Sequence, residues 1–248
     1  MYVKQAANVL ELLEYFAQRK RPATLSELAD ELGWPRSSTF NLIGTLIDKG
    51  YLYEPRTRGG YYPTPRWFIK AQAVADAEPL PEAADAMVGE VAEETGETTA
   101  IAGPAGLSAI FINVVESNSA IRYFAQVGHK LPIHATSTGR AILSQYSREE
   151  RYALYRKIKF VKYARNTITS IEEVEAEIRR SLQRGWFQSI SDYSPDLCGV
   201  ALPLPMASRR LAMVVAGPEF RCLERIEDTA AIMQRAINRF KDLLGETK

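Results

Sequence analysis

Apolar residues recur at helical spacing through the first fifty positions of the chain. Val9, Leu12, Leu13, Phe16 and Ala17 form one stripe and predict a helix over residues 5–18. Leu25, Leu28, Ala29 and Leu32 form a second stripe. Thr24 and Glu27 ahead of it make the S/T-x-x-E pattern of a capping box, so this helix should start at Leu25. Gly33 should close it, and Pro35 suits the first turn of a third helix. In that helix Thr39, Leu42, Ile43, Leu46 and Ile47 mark an inward face, and Gly50 marks its end. The opposite face carries Ser37, Asn41, Gly44 and Thr45, with Ser38 and Phe40 at its edges. It is small, polar and nearly uncharged, unlike an ordinary solvated face. Next, YLYEPRTRGGYYP (51–63) alternates as two short strands around Arg56-Thr57-Arg58-Gly59-Gly60, a hairpin with a basic tip.

Helix, helix, helix and basic hairpin read as a winged helix–turn–helix. The uncharged face fits a helix laid against base edges in a major groove. Arg36, Ser37, Ser38, Phe40, Asn41 and Thr45 are its candidate contacts, and Arg56 and Arg58 would rest against phosphate. Residues 65–81, PRWFIKAQAVADAEPLP, are a helical stretch closed by two prolines. Trp67, Phe68 and Ile69 are too many apolar residues for a bare tether, so this connector is expected to pack against a second subunit. The boundaries expected are 1–64, 65–80 and 81–248.

Beyond residue 81 the pattern mixes helices with hairpins. EAADAMVGEVAEETG is a helix ending at Gly96. TTAIAG and SAIFINVVE pair around Pro104-Ala105-Gly106, and IRYFAQV reads as another strand. LPIHATSTGRAILSQY enters a helix near Thr138 or Gly139. Ser147 with Glu150 and Ser170 with Glu173 make two further capping boxes, the second helix closing at Gly185. GVALPLP and RLAMVVAGP are apolar strands, and residues 226–244 form a closing helix. The class is α+β with an antiparallel sheet.

Composition removes some functions. Lys+Arg is 31 against Asp+Glu 30, so net charge does not point to nucleic acid. The first 66 residues hold nine basic against seven acidic, so DNA binding must rest on where the charges sit. No run approaches a membrane span, the start is not a signal peptide, and two cysteines imply a reducing cytoplasm. His129, His134, Cys198 and Cys222 are the only candidates for a nucleophile–base pair or a zinc site. They lack metal-ligand spacing, and there is no phosphate-binding loop. Neither an enzyme, a metal nor a cofactor is expected.

LSELADELGWPRSSTFNLIGTLIDKGYL and LPIHATSTGRAILS (131–144) together resemble the IclR family of bacterial transcription regulators. SDYSPDLCGVALPLP and LAMVVAGP extend the resemblance over nearly the whole chain. It implies an N-terminal winged domain, a linker helix and a C-terminal GAF-like effector-binding domain. It also implies a homodimer or tetramer on a pseudo-palindromic double-stranded DNA operator. Onto this sequence it places an effector site at Gly139, Arg140, Ala141, Asp192, Cys198, Gly199, Val214 and Ala216. The family usually carries an arginine at Asn41, a glycine at Asp196, a cysteine at Gly199 and serines at Val214 and Ala216.

The residues themselves add that Thr138-Gly139-Arg140-Ala141 opens a helix through small side chains. Free N–H groups there would suit a carboxylate. With Gly199, Val214 and Ala216 apolar, the effector expected is an apolar or aromatic acid. One alternative stays open, a small-molecule sensor or protein-interaction module without specific DNA binding. Phe40, Asn41, Arg56 and Arg58 favour the regulator.

Overall fold

The structure, a computed structural model, describes residues 2–77, 79–206 and 209–244. The chain divides into two compact units, Met1–Pro79 and Leu80–Lys248.

The first unit packs α1 (Lys4–Arg19), α2 (Leu25–Glu31) and α3 (Arg36–Asp48) around Leu12, Phe16, Leu28, Trp34, Ile43 and Leu46. Thr24 and Glu27 cap α2 reciprocally: Thr24 Oγ1 accepts from the Glu27 N–H, and the Glu27 carboxylate accepts from the Thr24 N–H at 2.8 Å. Gly33 and Gly50 both sit in the left-handed region, as their places at helix ends require. Pro35 lies at the N-cap of α3 rather than inside its first turn; its carbonyl accepts from the Thr39 N–H and hydroxyl. Ile47, expected to face inward, is 41% exposed: the α3 stripe buries only Thr39, Ile43 and Leu46.

The wing is β1 (Leu52–Tyr53) against β2 (Tyr62–Pro63), paired Leu52 with Pro63 and Tyr53 with Tyr62. Each strand has only two residues, because the chain leaves the ladder for a long tip. Tyr61 then bridges to Ala23, which ties the wing to the start of α2. Gly60 makes this possible, since a Cβ there would lie 2.5 Å from the Ala23 backbone. In α4 (Arg66–Ala77), Trp67 packs on Tyr51 and donates to its carbonyl at 3.0 Å, so its apolar surface is spent within this unit. Phe68, Ile69 and Val74 are exposed.

The second unit is a six-stranded antiparallel sheet in the order β5-β4-β3-β8-β7-β6. Its strands are β3 (Thr98–Ala105), β4 (Ser108–Val115), β5 (Lys130–Pro132), β6 (Phe187–Ile190), β7 (Leu197–Pro203) and β8 (Ala212–Pro218). Side chains alternate across it. Ile101, Val200, Leu202, Met213 and Val215 face α5 (Glu82–Thr95) and the closing helix (Ile226–Leu244). Ala100, Ala102, Phe111, Ala201, Val214 and Ala216 face α6 (Ser137–Leu143), α7 (Arg148–Tyr155) and α8 (Ile171–Arg184).

Several expectations need correction here. IRYFAQV is not a strand; the chain runs irregularly there and reaches β4 only after it, through Gly128 and His129 hydrogen bonds to Phe111 and the ladder at Lys130–Pro132. Its alternating pattern reflects single buried anchors such as Ala125, while Ile121, Phe124 and Val127 lie exposed. Ser147 and Glu150 form a full capping box, but Glu173 instead accepts from the Thr169 N–H, leaving Ser170 to cap α8 alone. The strand β6 and the single turn Glu219–Cys222 carry no periodic signal and were not expected.

Candidate functional site

The first site is the exposed face of α3 and the wing beside it. Ser37, Ser38, Phe40, Asn41, Gly44 and Thr45 are all exposed, Phe40 by 62%. The Thr45 hydroxyl donates to the Asn41 carbonyl at 2.8 Å, so its methyl remains for an outside contact. Arg36 is exposed at the start of the helix, 4.0 Å from the Asp30 carboxylate. At the wing tip Arg56 and Arg58 are exposed, and the Arg58 N–H donates to Glu54 at 2.8 Å. Arg58 itself adopts φ +61°. The basic cluster Arg19-Lys20-Arg21 is partly structural. Arg19 pairs with Glu27, reaches Glu31 at 2.8 Å, and donates to the Tyr15 hydroxyl at 2.7 Å, stapling α1 to α2. The cap hydrogen bond from Thr24 and this arginine together hold the Glu27 carboxyl down at about 2.

The second site is a cavity in the second unit, between the sheet and α6. Phe111, Tyr123, Leu131, Leu197, Val214 and Ala216 give it an apolar wall. Thr136, Ser137, Thr138 and Ser189 line it with hydroxyls, and Asp192, Tyr193 and Ser194 close it from the β6–β7 loop. The Ser189 hydroxyl donates to that of Ser137 at 3.2 Å. Gly199 lies across from this pair: a Cβ there would stand 3.1 Å from each hydroxyl oxygen. The Thr136 hydroxyl donates to the Pro132 carbonyl at 3.2 Å and accepts from the Gly139 N–H at 3.0 Å, which caps α6.

Four of the eight residues expected at the effector site line this cavity: Asp192, Gly199, Val214 and Ala216. The other four do not. The helix starts at Ser137, earlier than expected, which moves Gly139, Arg140 and Ala141 inside it. The Gly139 N–H is taken by the Thr136 hydroxyl and the Arg140 N–H by the Thr136 carbonyl at 3.0 Å, so neither amide is free for a ligand. Gly139 is there because of packing: a Cβ would lie 2.1 Å from the Ile133 carbonyl oxygen. Arg140 is 1% exposed and binds the His134 carbonyl (3.2 Å), the Gln188 carbonyl (2.6 Å) and Asp192 (2.7 Å). It is a buried strut from α6 to the β6–β7 loop. Burial pushes the Asp192 carboxyl up, while Arg140 and the Ile190 N–H hold it back.

Cys198 has the parity of Val200 and Leu202, so it belongs to the opposite face of β7 from Gly199. One step along a strand therefore separates it from the cavity. Burial pushes its thiol up to about 12, which leaves it a small apolar side chain rather than a nucleophile. The residues that the sequence reading missed are Phe111, Tyr123, Leu131, Ser137, Ser189 and Tyr193. Leu131 and Ser137 lie inside the LPIHATSTGRAILS stretch and Tyr193 inside SDYSPDLCGVALPLP; Phe111, Tyr123 and Ser189 are brought in only by the fold.

A winged helix with an exposed uncharged reading face, joined in one chain to a sheet unit with a cavity of mixed apolar and hydroxyl lining, defines a ligand-responsive transcription regulator. The IclR helix-turn-helix domain matches residues 5–56, and the domain described as bacterial transcriptional regulator IclR C-terminal matches residues 72–239. The chain belongs to the IclR family, with a helix–turn–helix DNA-binding domain and a C-terminal effector-binding domain. It is 27% identical over 245 residues to the HTH-type transcriptional regulator KipR of Bacillus subtilis, covering 94% of this chain and 97% of that protein. It is 26% identical over 251 residues to the acetate operon repressor of Salmonella typhimurium, covering 99% and 92%. Its fold is also that of an IclR homolog from Microbacterium hydrocarbonoxydans complexed with 4-hydroxybenzoate: TM-score 0.76, 21% identity, 97% and 98% of the two chains covered. No helix among the described residues is long and apolar enough to cross a membrane.

Proposed function

We propose that this regulator binds a pseudo-palindromic operator as a dimer and is switched by an apolar or aromatic carboxylate held in the cavity under α6. The reading of DNA falls to Ser37, Ser38, Phe40, Asn41 and Thr45 on α3, with Arg36, Arg56 and Arg58 against phosphate. The observation that carries the ligand reading is the cavity's mixed lining. Phe111, Leu131, Val214 and Ala216 offer apolar surface, and the Ser137 hydroxyl, which accepts from Ser189, keeps its proton to donate. A compact oxo-acid would leave oxygens unpaired against the apolar wall, at about 1–3 kcal/mol each. A ring placed there would contribute up to ~3 kcal/mol by burial. Asp192 does not repel the acid strongly, because the Arg140 guanidinium balances its charge at 2.7 Å. The structural neighbour's 4-hydroxybenzoate is an acid of this kind.

Burial, with the Glu219 and Asp192 carboxylates, pushes the Cys198 thiol up and keeps it protonated, which fits a regulator without catalytic activity, working inside the cell where its DNA is. Calorimetry against glyoxylate, pyruvate, benzoates and phenylalkanoates tests the ligand reading. Benzoates or phenylalkanoates should bind at least tenfold more tightly than glyoxylate. Tight glyoxylate binding with no response to aromatic acids would refute it.

A further inference from the structure

A second cleft, of about 320 Å³, opens beside the cavity under α6 and shares Leu131 and Tyr193 with it. Its wall carries two lysines, Lys130 from β5 and Lys159 from the segment after α7, and its lining contains no carboxylate. His134 also forms part of this wall. It is only 2% exposed, and its Nε2 is buried without a hydrogen-bond partner. Its ring is held edge-on to Phe160 at 5.0 Å and tilted against Tyr163 at 6.2 Å, and Tyr163 in turn meets Tyr193 at 5.4 Å.

A buried polar atom without a partner is costly and rare, and it calls for an occupant that supplies one. Two cations without a facing anion attract a negative group. Aromatic edges beside them suit a ring or chain. We propose that this cleft is a second organic-anion site: a carboxylate sits among Lys130, Lys159 and the His134 imidazole, and its apolar part lies against the Tyr163–Tyr193 pair. Burial keeps the His134 imidazole down at about 4, so it is neutral at pH 7 and offers either an acceptor or an N–H. Because Tyr193 walls both spaces, an acid in the outer cleft also covers one side of the inner cavity. The inference does not depend on which acid, if any, the inner cavity holds.

The chain has only two histidines, so ¹⁵N-histidine labelling reports His134 almost alone, and a His129→Asn variant assigns the pair. With 4-bromobenzoate added to the full chain, the His134 signals should shift and saturate. Lys130→Ala/Lys159→Ala should weaken that response about tenfold, and Val214→Phe, which fills the inner cavity, should leave it. His134 signals that stay still at saturating acid would overturn the second site. So would a shift that vanishes with Val214→Phe and survives the lysine changes. An equal shift with inorganic phosphate would overturn its organic character. Co-crystals with 4-bromobenzoate answer separately if a variant fails to fold. A bromine peak beside Tyr163 supports the outer site. A peak only beside Phe111 refutes it and leaves the proposed effector cavity standing; no peak at either place refutes both.

Discussion

At the residue scale, single side chains decide what the cavity accepts. Val214 is buried in its wall beside Ala216, where a hydroxyl would give a small acid a donor. Val214→Ser should therefore shift preference toward glyoxylate and pyruvate and weaken benzoates about tenfold, as read by calorimetry. Unchanged selectivity would place the ligand elsewhere. His134 sets a pH dependence. Its folded value of about 4 lies below the ordinary 6.5, so the unfolded chain binds more protons between these limits. Stability is then complete above pH 6.5 and falls as pH drops toward 4, by at most roughly 3 kcal/mol. Denaturant unfolding at pH 7 and pH 4.5 should show a smaller acid loss in His134→Asn than in the wild type. Equal losses would mean the imidazole is not buried neutral.

What the sequence left hidden at this scale has a simple cause. Asp192, Gly199, Val214 and Ala216 were legible because the resemblance aligned them, and strand parity then put the last three on one face of the sheet. Cys198 stood next to Gly199 in the chain and on the other side of the sheet in space. Arg140 read as a ligand contact because the free N–H groups of a first helical turn invite an anion. Its actual partners, Asp192 and two carbonyls, lie as far as 52 residues away, beyond any local pattern.

At the element scale, caps and glycines position both sites. The boundaries of α1, α2, α3, α5, α7, α8 and the closing helix follow from stripes, capping patterns and terminal glycines, and these were visible along the chain. The start of α6 was misplaced because Thr136, the first residue of the TSTG stretch, supplies the cap, two residues ahead of Thr138. β6 was missed because four residues of mixed burial show no alternation. The close approach of α6 to the Ile133 backbone gives a direct prediction. Gly139→Ala would force a Cβ against that carbonyl, and such overpacking costs about 1–3 kcal/mol. Thermal unfolding of Gly139→Ala should fall by several degrees, and the cavity's acid binding should weaken with it because Ser137 and Thr138 move. A variant as stable as the wild type would contradict the packing described.

At the scale of the whole molecule, one α3 face and one wing give too few contacts for tight specific binding. Two faces about one DNA turn (~34 Å) apart would suffice. Sedimentation on an operator fragment should show two or more chains over an inverted repeat. One chain protecting one half-site would refute the dimer. The exposed apolar residues of α4, Phe68, Ile69 and Val74, are where a second chain is expected to meet the first.

The central claim is that the exposed face of α3 reads bases while the wing holds phosphate. Fluorescence anisotropy on a sequence enriched from random DNA, and on its scrambled version, at two salt concentrations, tests it most directly. Asn41 can pair with adenine through its amide, so Asn41→Ala should lose roughly 1–3 kcal/mol on the enriched site and little on the scramble. Arg58→Ala should weaken both sequences alike and flatten the salt dependence. Equal losses on both DNAs for Asn41→Ala, or no loss on either, would contradict the account.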